Sequence, residues 1–411
     1  MVVKKLKDCC TIIAGQSPDS KYYNTDGIGI PFFQGKTDFG EMYPTLRVYC
    51  SQPTKIAEKN DILLSVRAPV GPTNLSPGKV CIGRGLTAIR PTKDIDLKYL
   101  LYFFRYFEAQ LMQKGTGTTF KAISQDTVKN LEVPILPICK QKYIAIRIEE
   151  LFSKLDKSVE TLKVTKAQLT VYRQAVLKEA FEGKWHYSNR HQPETDLQFD
   201  SIKVSELDKL EEIPCEWKYV YLSSLGELSR GRSKHRPRND KRLFENGKYP
   251  FFQTGDVKAA RDHLVACDKM YGEFGLEQSR LWPAGTLCIT IAANIAETCF
   301  LGVDGCFPDS IVGFTADEKI VNKEYIRFFI EASKKRLWAF APATAQKNIN
   351  LTTLENLIVP YCTPDEQEYI VGEIKARLSV CDRIEQTVDT ALQQAEAMRR
   401  SILKQAFEHL C

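Results

Sequence analysis

The chain has 411 residues, with 57 Lys plus Arg against 51 Asp plus Glu and a formal charge of +6, so it exceeds one ordinary core and is basic enough to permit, without requiring, an anionic partner. Its 13 cysteines include adjacent Cys9 and Cys10 but no CxxC, which argues against a disulfide framework or a structural zinc site and suits reduced thiols. No signal peptide is read before Leu6 and no stretch approaches the roughly 18 apolar residues of a membrane span, so a cytoplasmic chain without a membrane partner is expected.

Residues 1–140 mix strand-like runs, such as Asp61 to Val66, with an amphipathic helix near Tyr99 to Met112, and predict an α+β domain. Three local features stand out there: Gly15-Gln16-Ser17-Pro18, Pro31-Phe32-Phe33-Gln34 followed by Lys36 and Asp38, and a loop with Thr118, Thr119 and Lys121. The stretch Gly29 to Thr37 resembles a P-loop, but it has one residue too many before Gly35-Lys36-Thr37, and a phosphate cradle depends on loop length.

Residues 141–183 read as one long helix. Ile144, Ile148, Leu151, Leu155, Leu162, Leu169, Tyr172 and Val176 recur at threes and fours, with Ser158 and Thr165 filling the seam. Residues 184–216 are polar, without a sustained period, and read as a linker. Residues 217–362 repeat the α+β pattern, with Thr286 to Ile291 as a strand and Tyr325 to Trp338 as a helix. Here Arg230, Arg232, Lys234, Arg236, Arg238, Lys241 and Arg242 face the single acid Asp240, a run able to follow phosphates or meet guanine, or simply a solvated loop. Gln253 and Asp256 follow Pro250-Phe251-Phe252, and Thr344, Gln346 and Lys347 occupy a second polar loop. Such amide and hydroxyl side chains read base edges or cap turns.

Residues 363–411 form the second long helix. Its expected seam is Ile370, Ile374, Cys381, Ile384, Val388, Ala391, Ala395, Met398 and Ile402, with Arg377 as a local departure beside Leu378. Each long helix is about 60 Å. A narrow apolar stripe of that length needs a partner helix, and the duplicate is the nearest candidate, which predicts an antiparallel intramolecular coiled coil.

Shifting the chain by 226 positions aligns Tyr99–Glu182 with Tyr325–Glu408 without a gap, and 25 of 84 positions are identical. They include Lys121/Lys347, Asn130/Asn356, Val133-Pro134/Val359-Pro360, Gln141/Gln367 and Leu177-Lys178/Leu403-Lys404. Toward each N-terminal part the offset drifts, pairing Cys81 with Cys306 and Gly15 with Gly231. A period this long implies two copies of a whole domain with its helix. Pro364-Asp365 with Glu373 and Lys375 superficially matches a metal-dependent nuclease, but Cys139, Arg147 and Glu149 replace those residues in the first copy. No catalytic residue, adenine-methyltransferase signature or metal site is identified, leaving a stand-alone nuclease or methyltransferase, and a scaffold without a DNA role, as the alternatives to a DNA reader.

In order, and twice, the Gly-x-Ser start, the Pro-Phe-Phe-Gln turn, the Thr-x-x-x-x-Ile loops ending at Ile123 and Ile349, the Val-Pro step, Gln141 and Gln367 at the helix starts, and Leu177–Phe181 with Leu403–Phe407 resemble the specificity subunits of type I restriction-modification enzymes. Ile213-Pro214-x-x-Trp217 fits the opening of a second recognition domain. The resemblance implies two globular target-recognition domains separated by two antiparallel helices, in a pseudo-twofold repeat. Each domain would read one half of a split target in double-stranded DNA, and the helices would act as a ruler and dock two methyltransferase subunits. Restriction-translocase subunits would join them, with S-adenosylmethionine, ATP and Mg²⁺ bound only by these partners. Pro342 and Ala343 replace Thr116 and Gly117 and break the family pattern in the second polar loop.

Overall fold

Aliphatic runs form the strands that organise each half. The structure, a computed structural model, describes residues 2–115, 122–185, 199–200, 202, 210–260, 262–292, 294–340 and 348–408, with Phe340 described in its backbone only. Two compact units result, one of Met1–Val164 with Val388–Cys411 and one of Thr165–Thr387. Among the described residues no helix is long and apolar enough to cross a membrane.

In the first unit an antiparallel sheet has the order Cys10–Ala14, Leu86–Pro91, Ile62–Ser65, Thr73–Leu75. Every residue of Ile62–Ser65 is buried, as a strand covered on both faces requires. Helix α1 (Leu97–Lys114) starts where Asp96 accepts from the backbone N–H groups of Lys98 and Tyr99, and it buries Tyr99 to Phe104 in the same core as Ile62, Leu64 and Ile89. A second sheet, ordered Tyr23–Asn24, Val48–Cys50, Ile30–Phe33, Val80–Ile82, Ile56–Ala57, carries the Pro-Phe-Phe-Gln turn. After α2 (Gln125–Lys129), Glu132–Ile135 pairs antiparallel with Val2–Lys5 and leads into α3 (Ile138–Phe181).

The second unit repeats the framework: Gly226–Arg230, Ile311–Ala316, Leu287–Thr290 and Thr298–Leu301 form the sheet, extended by His263–Leu264 in parallel. Where the first unit has its second sheet, this one has, among the described residues, Tyr249–Pro250 paired with Met270–Tyr271, plus α4 (Thr254–Ala259) and α5 (Glu273–Glu277). Helices α6 (Lys323–Ala332) and α7 (Lys334–Phe340) stand in place of α1, and α8 (Leu351–Glu355) in place of α2. Ile358–Tyr361 pairs with Lys218–Tyr221, and α9 (Pro364–Glu408) ends the chain. Most of the expected linker lies outside the described residues; of those described, Trp185, Phe199 and Ile213 pack on the second core.

Residues shared by the two copies hold equivalent joints. The Tyr99 hydroxyl donates to the Pro134 carbonyl (2.8 Å) and the Tyr325 hydroxyl to that of Pro360 (2.7 Å). Fully buried Gln141 accepts from the Asp96 N–H and donates to the carbonyls of Asp94 and Leu136; Gln367 does the same with Asn322, Ile320 and Cys362.

Along α9 the buried seam positions are Ile374, Cys381, Val388 and Ala395, one per heptad, with Leu378, Glu385, Leu392 and Arg399 half-buried between them. Along α3 the corresponding rows are Ile148, Leu155, Leu162, Leu169, Val176 and Phe152, Val159, Lys166, Arg173, Ala180. Ile370 is also buried, while Ile144 and Leu151 are half-buried. Four expected seam residues need correction: Ile384 (40% exposed), Met398 (54%), Tyr172 (47%) and exposed Ser158 face outward. The second row falls four residues after the first, not three, so Glu385 and Arg399 take the inward places. Both are matched by opposite charge. In the second unit Glu385 meets Lys166 (3.8 Å) and Arg173 (3.0 Å), and Arg173 also meets Asp382 (2.7 Å); the partner number falls as α3 advances, so the helices run antiparallel there. In the first unit Arg399 pairs with Asp156. The 226-residue shift carries Arg173–Asp382 onto Arg399–Asp156, so one polar layer occurs once in each unit. Arg377 stacks over Trp185 (4.2 Å), while Leu378 is half-buried against the second core.

Each long helix closes on the globular part belonging to the other repeat. Phe407 packs on Tyr99 (5.4 Å) and Phe103 (5.8 Å) in the first unit, and Phe181 packs on Tyr325 (5.0 Å) and Phe329 (5.2 Å) in the second.

Candidate DNA interface

A tight turn built from glycine and a pressed strand end recurs in both units. In the first, the Leu86 N–H donates to the Gly83 carbonyl (2.9 Å), closing a turn with Arg84 and Gly85 at its centre. A side chain on Gly15 would lie 2.2 Å from that carbonyl, and one on Gly85 would lie 2.4 Å from the Gln34 carbonyl, so the Gly-x-Ser loop and the Pro-Phe-Phe-Gln turn clamp it from two directions. The Arg84 N–H donates to the Ser17 hydroxyl (3.2 Å). Exposed Gln16, Gln34 and Arg84 belong to the three segments that meet at this clamp, and exposed Lys36 follows Gln34 by two residues. Asp38 does not project freely: it accepts the Gln34 N–H (2.9 Å).

In the second unit the Ile311 N–H closes the same turn on Pro308 (3.0 Å), and a side chain on Gly231 would lie 2.3 Å from the Pro308 carbonyl. Asp309 stands where the first unit has Arg84. Its backbone carbonyl accepts from Arg230 (2.8 and 3.1 Å) and its carboxylate from Arg238 (2.8 Å). Arg236 donates to the carbonyls of Ser233 and His235, and Arg242 pairs with Asp240, which also bonds His235 (2.8 Å). The Arg242 hydrogen bonds, side chain first, then its backbone N–H, then His235, hold the Asp240 carboxyl far below the usual range. Of the seven cations in this run, Arg232, Lys234 and Lys241 are exposed and, among the described residues, make neither an ion pair nor a side-chain hydrogen bond. Gln253 is exposed, while Asp256 accepts its N–H (2.7 Å), the same capping seen at Asp38.

Thr118, Thr119, Lys121, Thr344, Gln346 and Lys347 lie outside the described residues. The chain just after both loops is anchored alike: Ala122 bridges Arg67 and Asn348 bridges Ala292, with Ile123 donating to Val66 (3.0 Å) and Ile349 to Ile291 (2.9 Å). Sequence reasoning passed over Arg84. The signal available was its place between Gly83 and Gly85, an arginine where the backbone is pressed on both sides.

The family model described as type I restriction modification DNA specificity domain matches residues 1–170 and again 214–394. A Methanocaldococcus jannaschii protein, provisionally named type I restriction enzyme MjaX specificity subunit, is 38% identical over 42% of this chain and 40% of its own length. The type I restriction enzyme EcoBI specificity subunit of Escherichia coli is 22% identical over 71% of this chain and 61% of its own. In both cases this chain spans less than two thirds of the relative. Among solved structures, a chain from work on complex assembly and conformational transition of the type I R-M system superposes with a TM-score of 0.72 at 15% identity, covering 99% of this chain and 97% of that one. The HsdS subunit from Thermoanaerobacter tengcongensis gives 0.54 at 16% identity, covering 99% and 96%. These likenesses establish the fold.

Proposed function

The chain belongs to the type I restriction-modification DNA specificity domain family, and on that premise we propose that it is the DNA-reading subunit of a type I restriction-modification complex. Each unit reads one half of a bipartite target in double-stranded DNA. The polypeptide performs no chemistry of its own. Two methyltransferase subunits dock on α3 and α9, restriction-translocase subunits join them, and S-adenosylmethionine, ATP and Mg²⁺ belong to those partners. The complex works in the cytoplasm.

The observation that carries this reading is the double match of the specificity-domain model to two halves built on one framework, each presenting cationic and amide side chains around an equivalent clamped turn. A glycine at the clamp lets backbone approach backbone without a side chain between, which keeps the neighbouring groups in fixed register. Exposed guanidinium and ammonium groups supply the phosphate attraction, and arginine and glutamine supply paired donors and acceptors for base edges.

The test is to map adenine methylation in cells carrying this gene with its neighbouring methyltransferase gene. A two-part motif that disappears when this gene alone is deleted is expected; methylation unchanged by the deletion would overturn the proposal. Turnover by the purified chain with DNA, Mg²⁺ and S-adenosylmethionine would instead make it an enzyme.

A further inference from the structure

The turns Gly83–Leu86 and Pro308–Ile311 are closed by the same hydrogen bond and pressed by the same glycine, yet their tips carry Arg84 and Asp309. Opposite charges at equivalent places would ordinarily mean that only one tip suits DNA. The surroundings remove that difference: Asp309 holds the Arg238 guanidinium at 2.8 Å, whereas Arg84 is exposed and ion-paired to nothing among the described residues. A guanidinium therefore stands at both tips, directly in the first unit and through a carboxylate in the second. We propose that Arg84 is a base-reading, specificity-determining residue of the first unit, and that Asp309 is the positioning residue that brings Arg238 to the matching place in the second.

This rests on the DNA-reading function proposed above. Guanine in the major groove is the partner the chemistry selects, because its O6 and N7 accept two parallel N–H donors from one guanidinium. Contact of that kind demands a fixed donor direction. The clamped turn supplies it at Arg84, while Lys36, a flexible point charge nearby, suits a phosphate.

The experiment selects a random duplex library on the purified full-length chain, wild type beside R84A, R84K, R232A and D309N. Wild type enriches a two-part motif. R84A loses the preference at one position of one half, with the best site weakened roughly 5- to 150-fold, the discrimination of one good bidentate pair. R84K keeps the salt dependence of binding but not the base preference. D309N relaxes the other half only, whereas R232A weakens binding without changing the base preference of either half. Circular dichroism checks that each variant retains its secondary structure. If R84A enriches the wild-type motif with unchanged weights, Arg84 reads nothing; if it weakens all sequences alike and R84K restores them, Arg84 is a phosphate anchor. Either result overturns the assignment. An unaltered second half in D309N overturns the role given to Asp309. Failure of the unmutated chain to enrich any motif would instead strike at the DNA-reading function itself.

Discussion

Replacing Gln141 with Leu tests whether the shared joint holds the long helix to its domain. Gln141 is fully buried and makes three hydrogen bonds: from the Asp96 N–H (2.9 Å), to the Asp94 carbonyl (2.9 Å) and to the Leu136 carbonyl (2.7 Å). Leucine fills a similar volume but satisfies none of them. Asp94 is exposed, so its carbonyl regains water, while Asp96 and Leu136 are half-buried and recover less. At about 1 kcal/mol per lost bond, rising where a group stays dry, the cost is ~2–4 kcal/mol. The assay is amide hydrogen exchange by mass spectrometry on the full chain, because two units need not unfold as one. Peptides from α1 and the start of α3 should exchange roughly 30- to 700-fold faster, with those of the second unit unchanged. Q367L should reverse the pattern. Q141E keeps the acceptor but turns a carboxylate toward two carbonyl oxygens, so it should cost at least as much. Loss below about 0.5 kcal/mol in Q141L would mean that the amide is a passenger and that the joint is held by Tyr99 and apolar packing alone.

Phe407→Ala should destabilise the first unit and Phe181→Ala the second, each by about 3–5 kcal/mol, and exchange data showing the opposite assignment would refute the crossed docking of the helix ends. Removing the exposed charge of Arg232 should lower the slope of log affinity against log salt by about 0.9; an unchanged slope would take Arg232 off the DNA backbone. Asp240 has its pKa depressed by Arg242 and His235, so its stabilising contribution is complete above the unfolded carboxylate value of about 3.9 and is lost only as pH falls through the lower folded value. A carboxyl titration by NMR should show Asp240 still ionised where ordinary aspartates are half-protonated, and a midpoint near 3.9 would contradict the pairing. Adding one heptad to both α3 and α9 lengthens each by about 10 Å and should move the preferred spacer by about three base pairs, whereas an unaltered methylation motif would end the ruler idea.

The linear order of residues determined the features that depend on near neighbours or on comparison of the chain with itself. Threes and fours of Ile and Leu define helices because those residues share one face within a few turns, and the 226-residue shift exposed the duplication together with Gln141/Gln367 and Tyr99/Tyr325, later found at equivalent joints. Tertiary structure decided what depends on distant partners. Arg230 and Arg238 look as free as Arg232 in the sequence, but Asp309, more than 70 residues away, occupies them. Ile384 and Met398 look like seam residues, yet the facing charges on α3 turn Glu385 and Arg399 inward, one residue further round the helix. Local periodicity marks a helix face only to within about 100°, the step of a single residue, and the packing of a second helix chooses between the neighbours on that face.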